Sequence, residues 1–287
     1  MKIIWTASPF GSNCLNPPPK YSHPRQSLAF PEFNFAHCRA NSSVETLLYW
    51  IAEQRTTCGF PAAEEALEEP DGLLAIGGDL GSRRLLEAYR HGIFPWYDST
   101  QPIMWWSPNP RSVLFPEGLV ISRSLRRSLK RCAYEITIDR SFPEVIQACA
   151  EPRKDDHGTW LTPAMIDAYT ALHREGHAHS IEAWNDDRLI GGLYGICIGR
   201  VFFAESMFSR RPDASKICLV RLAQHLLTWD FKLIDCQVHS QHIERLGALR
   251  IPRSQFIAML DRWCPATISE NAWQSNPQDR PPARRSI

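Results

Sequence analysis

Three side chains in the C-terminal half have the types and spacing to handle an amine or a carbonyl. Glu205 stands in the apolar run VFFAESMF, and Asp235 and Gln237 stand in KLIDCQV, residues 232–238. Strand side chains alternate, so Asp235 and Gln237 are expected on one face, with Cys236 on the other. Polar groups on an otherwise apolar strand cost free energy unless they are hydrogen-bonded. Pattern alone leaves two explanations open, a satisfied structural pair or a working site. The stretch FFAESMFSRRPDASK joins these residues: a strand, a turn through Arg210, Arg211 and Pro212, and a helix for which Asp213 is the expected N-cap.

Other patterns carry less chemistry. His173 and His177 have the HxxxH spacing of a zinc helix, with His179 nearby, but Gly176 ends that helix before the second histidine can share its face. No metal site and no cofactor are expected. The words GGD and GGLYG lack the spacing of a dinucleotide loop. Arg123, Arg126, Arg127, Lys130 and Arg131 recur at i, i+3 and i+4, a one-sided cationic stripe on a short helix.

Elements must position these groups. The 287 residues have a formal net charge of +1, with 44% hydrophobic and 22% charged side chains, a soluble globular profile. With so little net charge, nucleic-acid contact has to come from a local patch. Nine scattered cysteines without a CxxC pair, and no secretory or membrane-spanning run, predict a reduced cytoplasmic protein without membrane contact. Residues 1–43 are rich in Pro, Ser and Asn and are expected to be a disordered, dispensable extension. A small N-terminal domain is expected over 44–109. Within it, 44–54 should form a short helix or turn, Ser82 should cap a helix that Gly92 closes, and Trp96, Trp105 and Trp106 should lie in a stiff loop. A second domain is expected over 110–265 and a flexible tail over 266–287. In the second domain, Ser141 and Thr162 (followed by Pro163) open helices, and three antiparallel strands lead to Glu205. The order describes an α/β fold of the mixed-sheet, α+β kind with helices on both faces. It looks like the acetyltransferase (GNAT-type) fold, whose splayed strands open a cleft for an acyl donor.

The wording of the sequence is more specific than its pattern. EPDGLLAIGGDL, GIFPWY, PIMWWSPNPR, SRSL, GTWLT, AHSIE, GGLYG, ESMFS, ASK and LIDCQV occur in this order between about Phe60 and Leu260. Together they resemble the bacterial leucyl/phenylalanyl-tRNA–protein transferases. The resemblance implies transfer of leucine or phenylalanine, and less well methionine, from aminoacyl-tRNA to the α-amine of proteins beginning with Arg or Lys, marking them for degradation. It implies that Gln237 holds the reacting amine, that Asp235 orients and polarises Gln237, and that Glu205 helps place the acceptor. Leu193, Phe202, Met207, Leu219 and Leu222 would line the hole for the donor side chain. Leu193 and Leu222 depart from the residue types of better-known members, which bears on the Leu:Phe preference. Trp96 and Trp160 would stack beside the terminal adenosine, and the cationic stripe would meet the tRNA backbone. A monomer is expected.

Two other classes compete. A coenzyme-A acyltransferase on the same fold would carry a Gly-rich turn after the Glu205 strand to bind pyrophosphate, and here the turn is SRRPDASK with no glycine. A non-catalytic RNA-binding module would leave Glu205, Asp235 and Gln237 without a purpose.

Overall fold

Strand pairing divides the chain in sequence order. The computed structural model describes residues 48–53, 59–131, 133–151 and 160–273, all in one structural unit. The extension expected over 1–43 lies outside the described residues. A first sheet holds β1 (Tyr49–Ile51), β2 (Leu73–Gly77), β3 (Phe94–Pro95) and β4 (Met104–Trp106) in the order β1-β2-β4-β3, with α1 (Ser82–Arg90) between β2 and β3. A second sheet holds β5 (Arg111–Leu114), β6 (Glu135–Ile138), β7 (Ala178–Asn185), β8 (Arg188–Ile198), β9 (Val201–Ser209), β10 (Leu233–Gln237) and β11 (Leu249–Ile251), in the order β11-β5-β10-β9-β8-β7-β6. Helices α2 (Arg123–Lys130), α3 (Phe142–Ala150), α4 (Pro163–Arg174), α5 (Ala214–Thr228), α6 (Gln241–Glu244) and α7 (Arg253–Trp263) connect them. Only β9 and β10 run parallel in the second sheet, joined by α5; its other neighbours are antiparallel. The fold is mixed α/β.

Several local expectations need correction. Tyr49–Ile51 is a strand rather than part of a helix, because it pairs in parallel with Ala75–Gly77. The tryptophan-rich loop contains a strand pair, β3 with β4, in which Phe94 faces Trp106 and Pro95 faces Trp105. Gly81, not Ser82, is the N-cap of α1; the Ser82 hydroxyl donates to Glu175 instead. Ser141 sits at the N-cap of α3 but its hydroxyl donates to Glu144, whereas Thr162 accepts from the Met165 amide as a cap should. Asp213 occupies the N-cap position of α5 with φ 61°, yet its carboxylate does not cap. Lys216 (2.8 Å) and Ser128 (2.8 Å) hold it instead. The tail expected to be flexible from Ala266 packs as far as Trp273, whose indole stacks on His179 at 4.0 Å; residues 274–287 lie outside the description.

Burial follows the alternation of β9. Val201, Phe203 and Phe208 join a core that also holds Tyr89, Trp105, Phe142, Tyr194 and Phe256. Phe202, Ala204 and Met207 join a second core with Leu193, Leu219 and Leu222 from β8 and α5. Adjacent residues of a strand face opposite ways, so these cores lie on opposite faces of the seven-stranded sheet.

Candidate active site

A break in strand pairing creates the site. β9 pairs with β10 only over Val201–Phe203 against Leu233–Asp235, while β9 continues to Ser209. Beyond that point Glu205 and Gln237 reach across the gap, and Gln237 Nε2 donates to Glu205 Oε1 at 2.7 Å. On the other edge of β9, Ala204 pairs with Gly195 and Ser206 with Tyr194, which leaves Glu205 as the extra residue of a bulge. Gly195 permits this. A Cβ there would sit 2.3 Å from the Phe203 carbonyl oxygen and 2.6 Å from the Phe202 ring.

Glu205 is 2% exposed and held by two tyrosines as well as Gln237. Tyr89 of α1 donates to Oε1 at 2.7 Å, Tyr169 of α4 donates to Oε2 at 3.0 Å, and the two phenol oxygens are 2.8 Å apart. With both phenols donating to the ionised carboxylate, the phenol–phenol contact has no proton; a proton on the carboxyl group fills all three contacts by reversing one of these donations. Burial accordingly pushes the Glu205 pKa up to about 7, against the lowering effect of the Tyr89, Tyr169 and Gln237 hydrogen bonds. Burial beside this carboxylate raises both phenol pKa values far above the usual tyrosine range. An ionised carboxylate accepts about four hydrogen bonds, so Glu205 has capacity for roughly one more.

Asp235 is fully buried and committed elsewhere. Arg111 of β5 donates to it through Nε (2.9 Å) and a terminal guanidinium nitrogen (2.6 Å). The guanidinium lies between the rings of Phe94 and Phe256, 4.8 and 4.6 Å from their centroids. Asp235 also accepts from the Gln237 main-chain N–H at 2.9 Å. Gln237 has φ 58°, in the left-handed region that β10 reaches by a register shift between Asp235 and Gln237. Asp235 therefore fixes the backbone of Gln237, and Glu205 fixes its amide. This corrects simple alternation as the reason Gln237 turns toward Glu205.

Of the residues picked from the sequence, Trp96, Trp160, Glu205 and Gln237 come together. With Phe94, Pro95 and Val238 they line one narrow cleft of about 10 Å³, room for about one water molecule. Asp235 stands behind it. Leu193, Phe202, Met207, Leu219 and Leu222 gather with each other in the second core, all at most 2% exposed, and none lines the cleft. Arg123, Arg126, Arg127, Lys130 and Arg131 lie exposed on α2 and its C-cap, and none pairs with a carboxylate of the described residues. Sequence reasoning missed Arg111, Tyr89 and Tyr169. The tyrosines had one legible sign: a buried phenol needs a partner for its hydroxyl.

Comparison with known proteins identifies the family. The family model described as leucyl/phenylalanyl-tRNA protein transferase matches residues 113–261, and the model of that family's N-terminal domain matches residues 78–109. The chain is 53% identical over 216 residues to the leucyl/phenylalanyl-tRNA–protein transferase of Pseudomonas syringae pv. syringae, covering 75% of this chain and 93% of that one. It is 57% identical over 217 residues to the same enzyme from Aromatoleum aromaticum, covering 76% and 90%. It is 58% identical over 203 residues to that from Nitrosomonas europaea, covering 71% and 86%. A solved structure, that of L-PGS from Bacillus licheniformis, overlays 56% of this chain on 52% of its own at 11% identity and a TM-score of 0.34, a likeness too slight to bear on the site. With the family models matching more than half of the chain, and relatives above half identity over most of their length, the chain belongs to the leucyl/phenylalanyl-tRNA–protein transferase family.

Proposed function

We propose that this aminoacyltransferase joins leucine or phenylalanine to protein N-termini in the cleft between Trp96, Trp160, Glu205 and Gln237, with Arg and Lys as the acceptor residues. The observation that carries the reading is a buried carboxylate and a fixed amide facing two indoles across one cleft. The indoles suit a stacked terminal adenosine, since a base on an aromatic face contributes about 1–3 kcal/mol.

The reaction is aminolysis of an ester. The acceptor nitrogen forms a bond to the acyl carbon, the bond from that carbon to the ribose oxygen breaks, and the ribose oxygen takes up one proton from the amine. An α-amine has a pKa of about 7.7–8.0, so part of it is already neutral near pH 7. Orientation can then supply most of the acceleration, up to roughly 7–11 kcal/mol at the limit. Gln237, its Nε2 tied to Glu205, offers Oε1 to an amine N–H. The remaining acceptor position of Glu205 holds the amine or the basic first side chain, because charge-assisted hydrogen bonds are the strong ones. Asp235 is a positioning residue that acts through the Gln237 backbone. The donor side chain enters the gap beyond Asp235, toward Leu193, Phe202, Met207, Leu219 and Leu222, which part to receive it.

Aminoacyl-tRNA and the acceptor polypeptide place the work in the cytoplasm, where the product is marked for degradation, and the chain acts as a monomer. Among the described residues no helix is long and apolar enough to cross a membrane. The test is transfer of labelled leucine from leucyl-tRNA to two peptides, one beginning with Arg and one with Gly. Labelling of the Arg peptide alone is expected. Equal labelling of both would overturn the acceptor assignment.

A further inference from the structure

A second hollow, about 440 Å³, lies away from the cleft, between α2, the segment entering β6 and the first turn of α5. Its volume is in the range of small-molecule sites, roughly 300–1,000 Å³. One wall is a stripe of α2 containing Ser124, Arg127 and Arg131; the other is apolar or aromatic, from Tyr134, Pro212 and Ile217. Arg127 and Arg131 are one turn apart and exposed, and neither forms an ion pair with a described residue. The nearby carboxylate of Asp213 is neutralised locally by Lys216 (2.8 Å) and takes a hydrogen bond from Ser128 (2.8 Å), so it does not compete for the two guanidinium groups.

We propose that this hollow is a nucleotide subsite, taking one unstacked nucleotide of the bound tRNA with its base against Tyr134 and Pro212 and its phosphate on Arg127 and Arg131. Guanidinium forks match phosphate, and an aromatic ring beside a cationic groove is how single-stranded nucleic acid is held without base reading. A charged helix alone would follow a backbone; the hollow adds depth for a base. The proposal rests on α2 facing the tRNA, and the test separates the two.

Leucyl-tRNA affinity is measured as a function of salt for the wild type, Tyr134→Ala, Tyr134→Phe and the double reversal Arg123→Glu/Arg126→Glu, whose residues lie on α2 outside the hollow. Minihelices abasic at single positions are tested alongside. Tyr134→Ala should weaken binding about 5- to 150-fold with the salt slope unchanged, and Tyr134→Phe should restore it. One abasic position should weaken binding to the wild type but not to Tyr134→Ala. The double reversal should flatten the salt slope. A flattened slope with Tyr134→Ala binding like the wild type, and no abasic position sensitive to it, overturns the subsite and leaves tRNA on α2. An unchanged slope in the double reversal overturns both.

Discussion

In the proposed reaction Glu205 has to be charged to hold an amine, while it is buried where charge is costly, and the two demands meet near neutral pH. Its pKa of about 7 predicts that kcat/KM for leucine transfer falls as pH drops below 7, in addition to the limb set by the acceptor amine. Glu205→Gln should lower the rate and remove the limb near 7 while leaving the amine limb; a profile unchanged in shape would assign that limb elsewhere. The same group predicts a stability trend. Folding favours its protonated form, so its stabilising contribution is full below about pH 4.5 and is lost as pH rises through 7. Against the wild type, Glu205→Gln should therefore gain relative stability between pH 5 and 8, on the order of 3 kcal/mol, measured by urea unfolding at each pH. Asp235 poses the opposite case. With Arg111 sealed between Phe94 and Phe256, Asp235→Ala leaves a buried cation without its partner, and a loss of about 3–5 kcal/mol is expected. Unfolding midpoints check this, and a variant as stable as the wild type would mean that the pair does not hold the strand.

At the scale of elements, the bulge of β9 and the turn-out of β10 aim Glu205 and Gln237 at each other, and both depend on Gly195 and Asp235 rather than on the strands alone. Gly195→Ala forces the Phe203 carbonyl away, with an expected cost of about 1–3 kcal/mol and a fall in turnover larger than the fall in leucyl-tRNA affinity, because Glu205 shifts with the bulge. Equal losses in both would place the strain elsewhere. Local chemistry made part of this legible. Thr162 with Pro163 opens α4, Gly92 and Gly176 close helices with positive φ, and alternation marks β7 to β9. The residues around the cleft were legible through their wording: Trp96, Trp160, Glu205 and Gln237 do converge. What stayed hidden was long-range. Arg111 meets Asp235 across 124 positions and Tyr89 meets Glu205 across 116, so no local period reveals either partner. The bulge was equally silent, since a run such as FFAESMF reads the same whether or not one residue is squeezed out of register. Tyr49–Ile51 was misread because three residues carry too little pattern to resist a pairing supplied by β2.

Across the molecule, the site belongs to neither sheet. Tyr89 comes from α1, Phe94 and Trp96 from the first sheet and the loop after it, Tyr169 from α4, and Glu205, Arg111 and Asp235 from the second sheet. One apolar core runs through both: Leu85, Tyr89 and Trp105 join Phe142, Tyr194, Phe203 and Phe256, and the Tyr89 ring lies 5.2 Å from that of Phe203. Gly92 tightens the seam, where φ 72° and a Cβ position 2.7 Å from Ile257 of α7 leave no room for a side chain. A core shared in this way couples the segments 44–109 and 110–265 during unfolding, although they were expected as separate domains. The whole chain should show a single calorimetric transition with calorimetric and van't Hoff enthalpies in agreement. Activity and near-ultraviolet dichroism should be lost together at its midpoint. A fragment spanning 110–265 would expose the faces of Phe203 and Phe256 that Tyr89 and the first sheet cover, and it would lack Tyr89 and Trp96 altogether. It should therefore be inactive and poorly soluble even when mixed with free leucyl-tRNA. Two resolved transitions, with activity following only the second, would show instead that the first sheet is an independent cover over a site complete without it.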